Sequence, residues 1–217
     1  MSLISKLRVA NTARVVEAEV RPCSFADVVT WQRRIHTPFI APGRGIGSDW
    51  DWPALYLGCH FSEQMLGRQA LAFQVRVADP AGDAVPVAQA LLSLPYAWPG
   101  GRAQQCVFLW FVAAAPAAAL SAFGVVDRFS VLPAVLDVAV QVSRSHGLEG
   151  RIGLHAAVGR TAREAEDLAR RYPNYGLRRR SKLLGYFRFP HRPENGRLFY
   201  FTPEDAMAFS AQQDDLR

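Results

Sequence analysis

Hydrophobic and polar residues follow one another along this chain in two rhythms, one typical of strands and the other of helices. Runs that are apolar at every second position, or at nearly every position, predict strands over residues 15–20, 69–77, 85–94, 105–112, 151–156, 183–189 and 198–201. Apolar residues three or four apart predict helices over residues 24–36, 53–66, 132–146, 161–172 and from 202 onward. Residues 37–52, rich in Gly, Pro and aromatic side chains, show no period and are predicted to form a loop.

Local signals agree with these boundaries. Ser24 and Thr202 are residue types that cap helix N-termini, while Pro53 and Pro203 suit a first helical turn. Residues 79–83 have turn chemistry and join two strands into a hairpin. The resulting order is strand, two helices, three strands, helix, strand, helix and two strands. It predicts an α/β (α+β) fold in which a mixed, mostly antiparallel sheet carries helices on both faces.

The composition is that of a globular protein, because half of the 217 residues are apolar and a fifth are charged. Neither an internal repeat nor a long linker divides the chain, so we expect one domain over residues 1–217. The most apolar stretch, residues 106–122, is interrupted by Pro116, and the first ten residues lack a secretory signal, so we expect a cytoplasmic protein with no membrane partner. Three widely spaced cysteines indicate neither a disulfide framework nor a metal site: Cys23, Cys59 and Cys106.

Positive charge is concentrated in the last third of the chain. The net charge is +6, and residues 151–197 contain twelve Arg or Lys against four Asp or Glu. The densest basic run opens at Arg178 and closes at Lys182. Such an excess favours a polyanionic partner, namely CoA phosphates, a nucleic acid or an acidic protein. The alternatives are an arginine-rich compositional bias and, for the run itself, a solvated turn.

The C-terminal third carries a resemblance to a known family. A predicted strand reading Arg-Ile-Gly-Leu-His-Ala is followed by a helix that closes on Tyr172-Pro-Asn-Tyr-Gly-Leu, and then by two strands. This unit resembles the second half of the GNAT superfamily, the acetyl-CoA-dependent N-acetyltransferases, whose element order matches nearly the whole chain. A group of bacterial GNAT-like proteins with a Gly-Arg-Ile-Gly-Leu-His strand is similar in more detail, since its last strand is also followed by Thr-Pro-x-x-Ala, here from Thr202 to Ala206.

The resemblance implies a donor site built from two backbone segments. In this family the sheet opens beside the central strand, and pantetheine pairs with exposed backbone there; the matching residues are Phe111, Val112 and Ala113. The next helix starts on a glycine-rich turn that holds the CoA pyrophosphate; the matching residues are Arg128, Ser130, Val131 and Leu132. This chain lacks those glycines and has Asp127 in the turn, so it departs from the family pattern at the pyrophosphate.

Two side chains are candidates for the chemistry. Tyr172 matches the family tyrosine whose hydroxyl can protonate the departing thiolate or orient the thioester carbonyl. Its alternative role is to pack at a helix end before Gly176. An amine acceptor also requires a general base, for which His155, at the end of a predicted strand near the cofactor cleft, is the main candidate. The alternative for His155 is capping or packing.

The predicted loop before the second helix matches the region where the family builds its acceptor pocket. It contains two aromatic residues flanked by two carboxylates, which suit an amine through cation–π and ionic contacts: Asp49, Trp50, Asp51 and Trp52. The same side chains could equally anchor the loop on the core.

The leading hypothesis is therefore an N-acyltransferase that moves an acetyl or other acyl group from acyl-CoA to an amine, which is a small molecule or a protein. One alternative is a GNAT-fold binding or assembly module without catalysis, which the altered turn favours. Another is an acyltransferase whose donor is carried by a protein or a tRNA, which the basic C-terminal third favours. The acceptor and the oligomeric state, including a homodimer, are left open.

Overall fold

A computed structural model describes residues 3–43, 45–101, 103–157, 161–180 and 196–217. The strand predicted over 183–189 and the last two residues of the basic run, Ser181 and Lys182, lie outside this described part of the chain.

Nine strands are present in the described residues. They are β1 (Lys6–Arg8), β2 (Val15–Glu17), β3 (Glu19–Pro22), β4 (Gln69–Ala78), β5 (Ala84–Ala97), β6 (Gln105–Ala114), β7 (Ile152–His155), β8 (Arg178–Arg179) and β9 (Leu198–Phe201). Seven of them form one sheet in the order β3-β4-β5-β6-β7-β9-β8, while β1 and β2 form a separate hairpin. β6 and β7 are the parallel pair, and the other neighbours are antiparallel. The predicted mixed, mostly antiparallel sheet is confirmed.

Six α-helices accompany these strands. They are α1 (Phe25–Trp31), α2 (Trp52–Met65), α3 (Ala117–Ala122), α4 (Val131–Ser145), α5 (Ala162–Arg171) and α6 (Pro203–Ala211). Ser24 and Thr202 cap α1 and α6 as predicted, and each forms a reciprocal capping box with an aspartate three residues on. A π-helix, Gln32–Ile40, extends α1 beyond the predicted end at residue 36, and it contains Pro38, whose missing N–H breaks the regular hydrogen-bond ladder.

Helices cover both faces of the sheet, as predicted. Successive strand residues point to opposite faces, and Leu91 and Leu92 of β5 belong to two different hydrophobic clusters. On one face Leu91 packs with Trp31 of α1 and Trp52 of α2, both fully buried. On the other face Leu92 packs in the cluster that contains Leu136 of α4. The sheet is thus the middle layer of three.

The sheet opens where β6 extends beyond the end of β7, its parallel neighbour. β6 and β7 pair over three residues only, the last pair being Leu109 and Leu154, while β6 continues to Ala114. A β-bulge at Trp110 interrupts the pairing of β6 with β5, because Leu91 and Leu92 lie opposite Phe111 and Leu109. Beyond this bulge, one edge of β6 has no strand beside it in the described part of the chain.

The β1–β2 hairpin packs against the segment just before α4. Val9 forms an isolated bridge with Phe129, and the Arg8 carbonyl accepts the backbone N–H of Ser130 at 3.0 Å. On the same segment the Ala10 N–H donates to the Arg128 carbonyl at 2.7 Å. β1 was not predicted, and the strand expected over 15–20 is divided between β2 and β3.

Candidate functional site

A cavity of about 380 Å³ lies where the sheet opens. Its walls come from the end of β6, the end of β7, the start of α4, the end of α5 and the loop before α2. Residues far apart in sequence therefore meet in one space. Among the residues proposed from the sequence, those that line it are Trp50, Val112, Ala113, Val131, Leu132, His155 and Tyr172.

Backbone groups of β6 face the open edge at alternate residues. The Ala115 N–H donates to the Val87 carbonyl of β5 at 2.9 Å. Beyond the bulge, the odd-numbered residues of β6 therefore turn their backbone groups towards β5. Val112 and Ala114 consequently turn theirs towards the cavity. Of the three residues implied for pantetheine, Val112 alone presents backbone groups there, because the bulge at Trp110 shifts the alternation.

Phe111 contributes to the wall through packing. Its ring contacts Trp50 edge-to-face at 5.1 Å between centroids, and Trp52 at 6.5 Å. Trp50 in turn is held by Gly47, where a Cβ would lie 2.9 Å from the Trp50 ring. The aromatic wall is therefore fixed from both sides.

The four residues predicted for the acceptor site have different positions. Trp50 lines the cavity, whereas Trp52 is fully buried in the layer under α1 and α2. Asp51 caps α2 by accepting the Ala54 N–H at 3.1 Å, and Asp49 is exposed outside the cavity lining. Trp52 and Asp51 thus anchor the loop, which was the alternative role considered for this segment.

Tyr172 begins the 3₁₀ turn Tyr172–Tyr175 that follows α5. Only 8% of it is exposed, and its ring packs on Phe199 at 5.1 Å between centroids. Burial raises the pKa of Tyr172 to about 12, an effect that the nearby Arg197 charge partly opposes. The phenol is therefore neutral at physiological pH and keeps a proton that it can donate in a hydrogen bond.

His155 is the last residue of β7 and is 7% exposed. Its strand pairs with β9, where Leu198 is its partner in register, and the preceding residue, Leu154, pairs with Leu109 of β6. Together with Tyr172, His155 makes this cavity the meeting point of two groups that can handle protons.

Arg197 supports both of these residues and was not predicted from the sequence. Its buried guanidinium donates to three backbone carbonyls, at 3.1 Å to Ala156, 2.6 Å to Ala157 and 2.8 Å to Ala165. Burial lowers the pKa of Arg197. Because the side chain joins the end of β7 to α5, it fixes the spacing of His155 and Tyr172. No signal distinguishes it from the other arginines of an arginine-rich chain.

The start of α4 does not offer the implied pyrophosphate turn. The Ser130 N–H is used by the Arg8 carbonyl, and Pro133 has no N–H to donate. Arg128 is exposed and lies outside the cavity lining. Asp127 forms an ion pair with Arg14 of the N-terminal hairpin region. The residues present fit the pantetheine part of acyl-CoA, whereas Ser130 and Pro133 offer a pyrophosphate no free backbone N–H.

Charges around the cavity are few. Of the described residues that line it, none is acidic, and Arg171 is the one with a permanent positive charge. The basic run lies elsewhere: Arg178 pairs with Asp205 at 2.7 Å, and Arg179 lies 3.9 Å from Glu166. The first two residues of this run are therefore engaged within the fold.

Two further kinds of site are absent from the described ranges. No group of three or more His, Cys, Asp or Glu side chains is arranged to hold a metal ion. No described helix combines the length and the apolar character needed to cross a bilayer.

Neither a protein-family model nor a curated protein matches the chain. Among solved structures, it is similar to the KacTA–DNA complex, with 14% identity over 90% of this chain and 99% of that one and a TM-score of 0.47. It is also similar to a mutant of the AtaT toxin bound to the C-terminus of the antitoxin AtaR and acetyl-CoA, with 12% identity over 88% and 96% and a TM-score of 0.48. A third similar structure is that of histone acetyltransferase HPA2 and related acetyltransferase from Corynebacterium glutamicum, with 16% identity over 84% and 94% and a TM-score of 0.41. With TM-scores below 0.5, these similarities carry no weight for what this chain does.

Proposed function

We propose that this chain is an N-acyltransferase that moves an acyl group from a pantetheine thioester, such as acetyl-CoA, to an amine. The observation that carries the proposal is the cavity in which the open edge of β6 at Val112 meets Tyr172 and His155. A strand edge without a neighbour supplies backbone N–H and C=O groups for the amides of pantetheine. The thioester would then lie between that edge and the two titratable side chains.

The reaction is a direct attack. The lone pair of the amine nitrogen forms a bond to the thioester carbonyl carbon, and the C–S bond breaks with its electron pair leaving on sulfur. The acceptor nitrogen loses one proton in the process, and the thiolate gains one, so the products are an amide and a free thiol. Two proton-handling groups near the thioester are what this chemistry requires.

Tyr172 is assigned to the sulfur. A free thiol has a pKa of about 8.5, so full proton transfer from a phenol of pKa about 12 to the thiolate is unfavourable by about 5 kcal/mol. The neutral phenol instead stabilises the developing thiolate by hydrogen-bond donation. The proton that finally neutralises the thiolate comes from the acceptor nitrogen or from solvent.

His155 is assigned to the acceptor nitrogen. A primary amine is mostly an ammonium ion at neutral pH and must lose a proton before it attacks. The imidazole is the group on the cavity wall that can accept this proton through a ring nitrogen. Trp50 would form the acceptor side of the wall, where its ring can contact the acceptor body.

Replacing Tyr172 with Phe tests the assignment. We expect Tyr172→Phe to lower the rate of thiol release about 100-fold with little change in acetyl-CoA affinity, because the ring and its packing remain while the donor is lost. Thiol release with a panel of primary amines gives the rate, and calorimetric titration with acetyl-CoA gives the affinity. Tyr175→Phe, three residues on and outside this cavity, is the matched control and should retain activity.

A module that binds without catalysis is the second candidate, favoured by the use of the Ser130 N–H within the fold. It predicts that the donor binds but that no amine raises the rate of thiol release above the uncatalysed rate. Absence of acetyl-CoA binding at millimolar concentration would contradict the first proposal.

A further inference from the structure

The N-terminal hairpin limits which part of the acyl donor can bind next to the segment before α4. Its Arg8 carbonyl accepts the Ser130 N–H, and its Val9 forms a bridge with Phe129 in the segment before α4. Asp127 adds a carboxylate there, compensated by Arg14. A phosphate beside Ser130 would therefore meet an N–H that is already bonded and a nearby carboxylate, which favours a side-chain partner for the donor phosphate.

Arg171 is available for that role. It is the last residue of α5, is exposed, and lines the same cavity as Val131 and Leu132, the first two residues of α4. In the described part of the chain, no carboxylate lies within ion-pairing distance of it. Its neighbour Arg170, in contrast, pairs with Asp167 at 2.6 Å.

A guanidinium in this position suits one phosphate group. Its fork of N–H donors matches two phosphate oxygens, and it needs no backbone turn to do so. Because no described acidic residue lines the cavity, nothing there repels or neutralises an anionic ligand beside Arg171.

We propose that the donor is recognised as an acyl-phosphopantetheine, with its phosphate bound by Arg171, and that the nucleotide part of CoA is not recognised. This inference rests on the proposed acyl transfer and adds which part of the donor the protein recognises. The same acyl-phosphopantetheine occurs in acyl-CoA and on the prosthetic arm of a carrier domain, so both are sources of this ligand.

Calorimetric titration with three probes tests the proposal: acetyl-pantetheine, acetyl-4′-phosphopantetheine and acetyl-CoA. The phosphate is expected to improve affinity about 10- to 100-fold over acetyl-pantetheine, since charged hydrogen bonds are worth that much. Acetyl-CoA is expected to bind within about threefold of acetyl-4′-phosphopantetheine, a difference of less than 1 kcal/mol. Arg171→Gln should remove the gain due to the phosphate and leave the affinity for acetyl-pantetheine unchanged.

Two control variants separate Arg171 from general charge. Arg170→Gln removes the same charge one residue away and should keep the gain due to the phosphate. Arg128→Gln removes an exposed cation from the segment before α4 and should also keep it. Acetyl-CoA that binds more than about tenfold tighter than acetyl-4′-phosphopantetheine, with that advantage lost in Arg128→Gln, would show nucleotide recognition and overturn the inference.

The source of the donor is distinguished by a fourth titration, with a carrier domain that bears the acetylated arm. Binding of this domain or of acetyl-CoA that depends on Arg171 supports the proposal and identifies the source. Acetyl-CoA binding that is unchanged in Arg171→Gln makes the inference wrong while leaving acyl transfer intact. If none of the thioesters binds at millimolar concentration, the proposed function itself fails.

Discussion

At the scale of single residues, the burial of Tyr172 has a measurable consequence for stability. Its pKa is about 12 in the folded protein, against 10.0 for an ordinary tyrosine. Between those pH values the folded state keeps the phenol proton while the unfolded chain loses it. The stabilising contribution of the buried phenol is therefore complete below pH 10 and is lost as the pH rises towards 12.

Comparison with Tyr172→Phe isolates this effect. We expect the free energy of unfolding of the wild type, relative to the variant, to fall by about 1.4 kcal/mol between pH 8 and pH 11, because only the wild type carries the proton linkage. Urea unfolding at both pH values measures it. A difference between the two proteins that does not change with pH would mean that the phenol is solvated in solution.

At the scale of elements, α4 contains a buried carboxylate whose charge depends on another part of the chain. Asp137 is fully buried, and burial raises its pKa although Arg217, at 2.7 Å, opposes the effect. Ser210 of α6 also donates to it at 3.0 Å. Since the folded pKa is raised, the contribution of this carboxyl to stability is largest in acid and is lost as the pH rises through its folded pKa.

Removing Arg217 should reveal the free-energy cost of burying the charge of Asp137. We expect Arg217→Ala to destabilise the protein by about 3 kcal/mol at pH 7, because a buried charge loses its counter-ion. The loss should shrink as the pH falls and Asp137 becomes protonated, and it should be mostly absent when Asp137→Asn is already present. Urea unfolding of the two single variants and the double variant at pH 7 and pH 4.5 measures it. An equal loss at both pH values would contradict the assignment.

Elements with strong local signals were predictable, and those made by distant contacts were not. The caps at Ser24 and Thr202 and the long strands β4 to β6 follow from local residue types and periodicity. The two residues of β8 and the three of β1 have no such signal, since pairing with remote segments defines them. The same holds within the site. Trp50 and Trp52 were proposed together for the acceptor pocket. That Trp50 lines the cavity while Trp52 is buried depends on packing that no single segment encodes.

At the scale of the whole molecule, the N-terminal hairpin and the cavity are linked through the segment before α4. The Ala10 N–H donates to the Arg128 carbonyl, and the Ser130 N–H donates to the Arg8 carbonyl. A change in the hairpin should therefore alter which donors bind at the other end of that segment. The region that excludes the nucleotide would lie at one end of the chain, and the residues that bind the thioester would lie in its middle and last third.

Removing a hydrogen bond between the hairpin and the segment before α4 tests this link. Ala10→Pro removes the N–H that bonds to Arg128, so we expect the hairpin to separate from the segment and the Ser130 amide to exchange with solvent at least about tenfold faster. With that amide freed, acetyl-CoA should gain affinity relative to acetyl-4′-phosphopantetheine, whereas Ala10→Ser, which keeps the N–H, should behave as the wild type. Hydrogen exchange reports the first effect and calorimetric titration the second. Faster exchange of Ser130 with no change in the ratio of the two affinities would mean that the hairpin does not control donor choice.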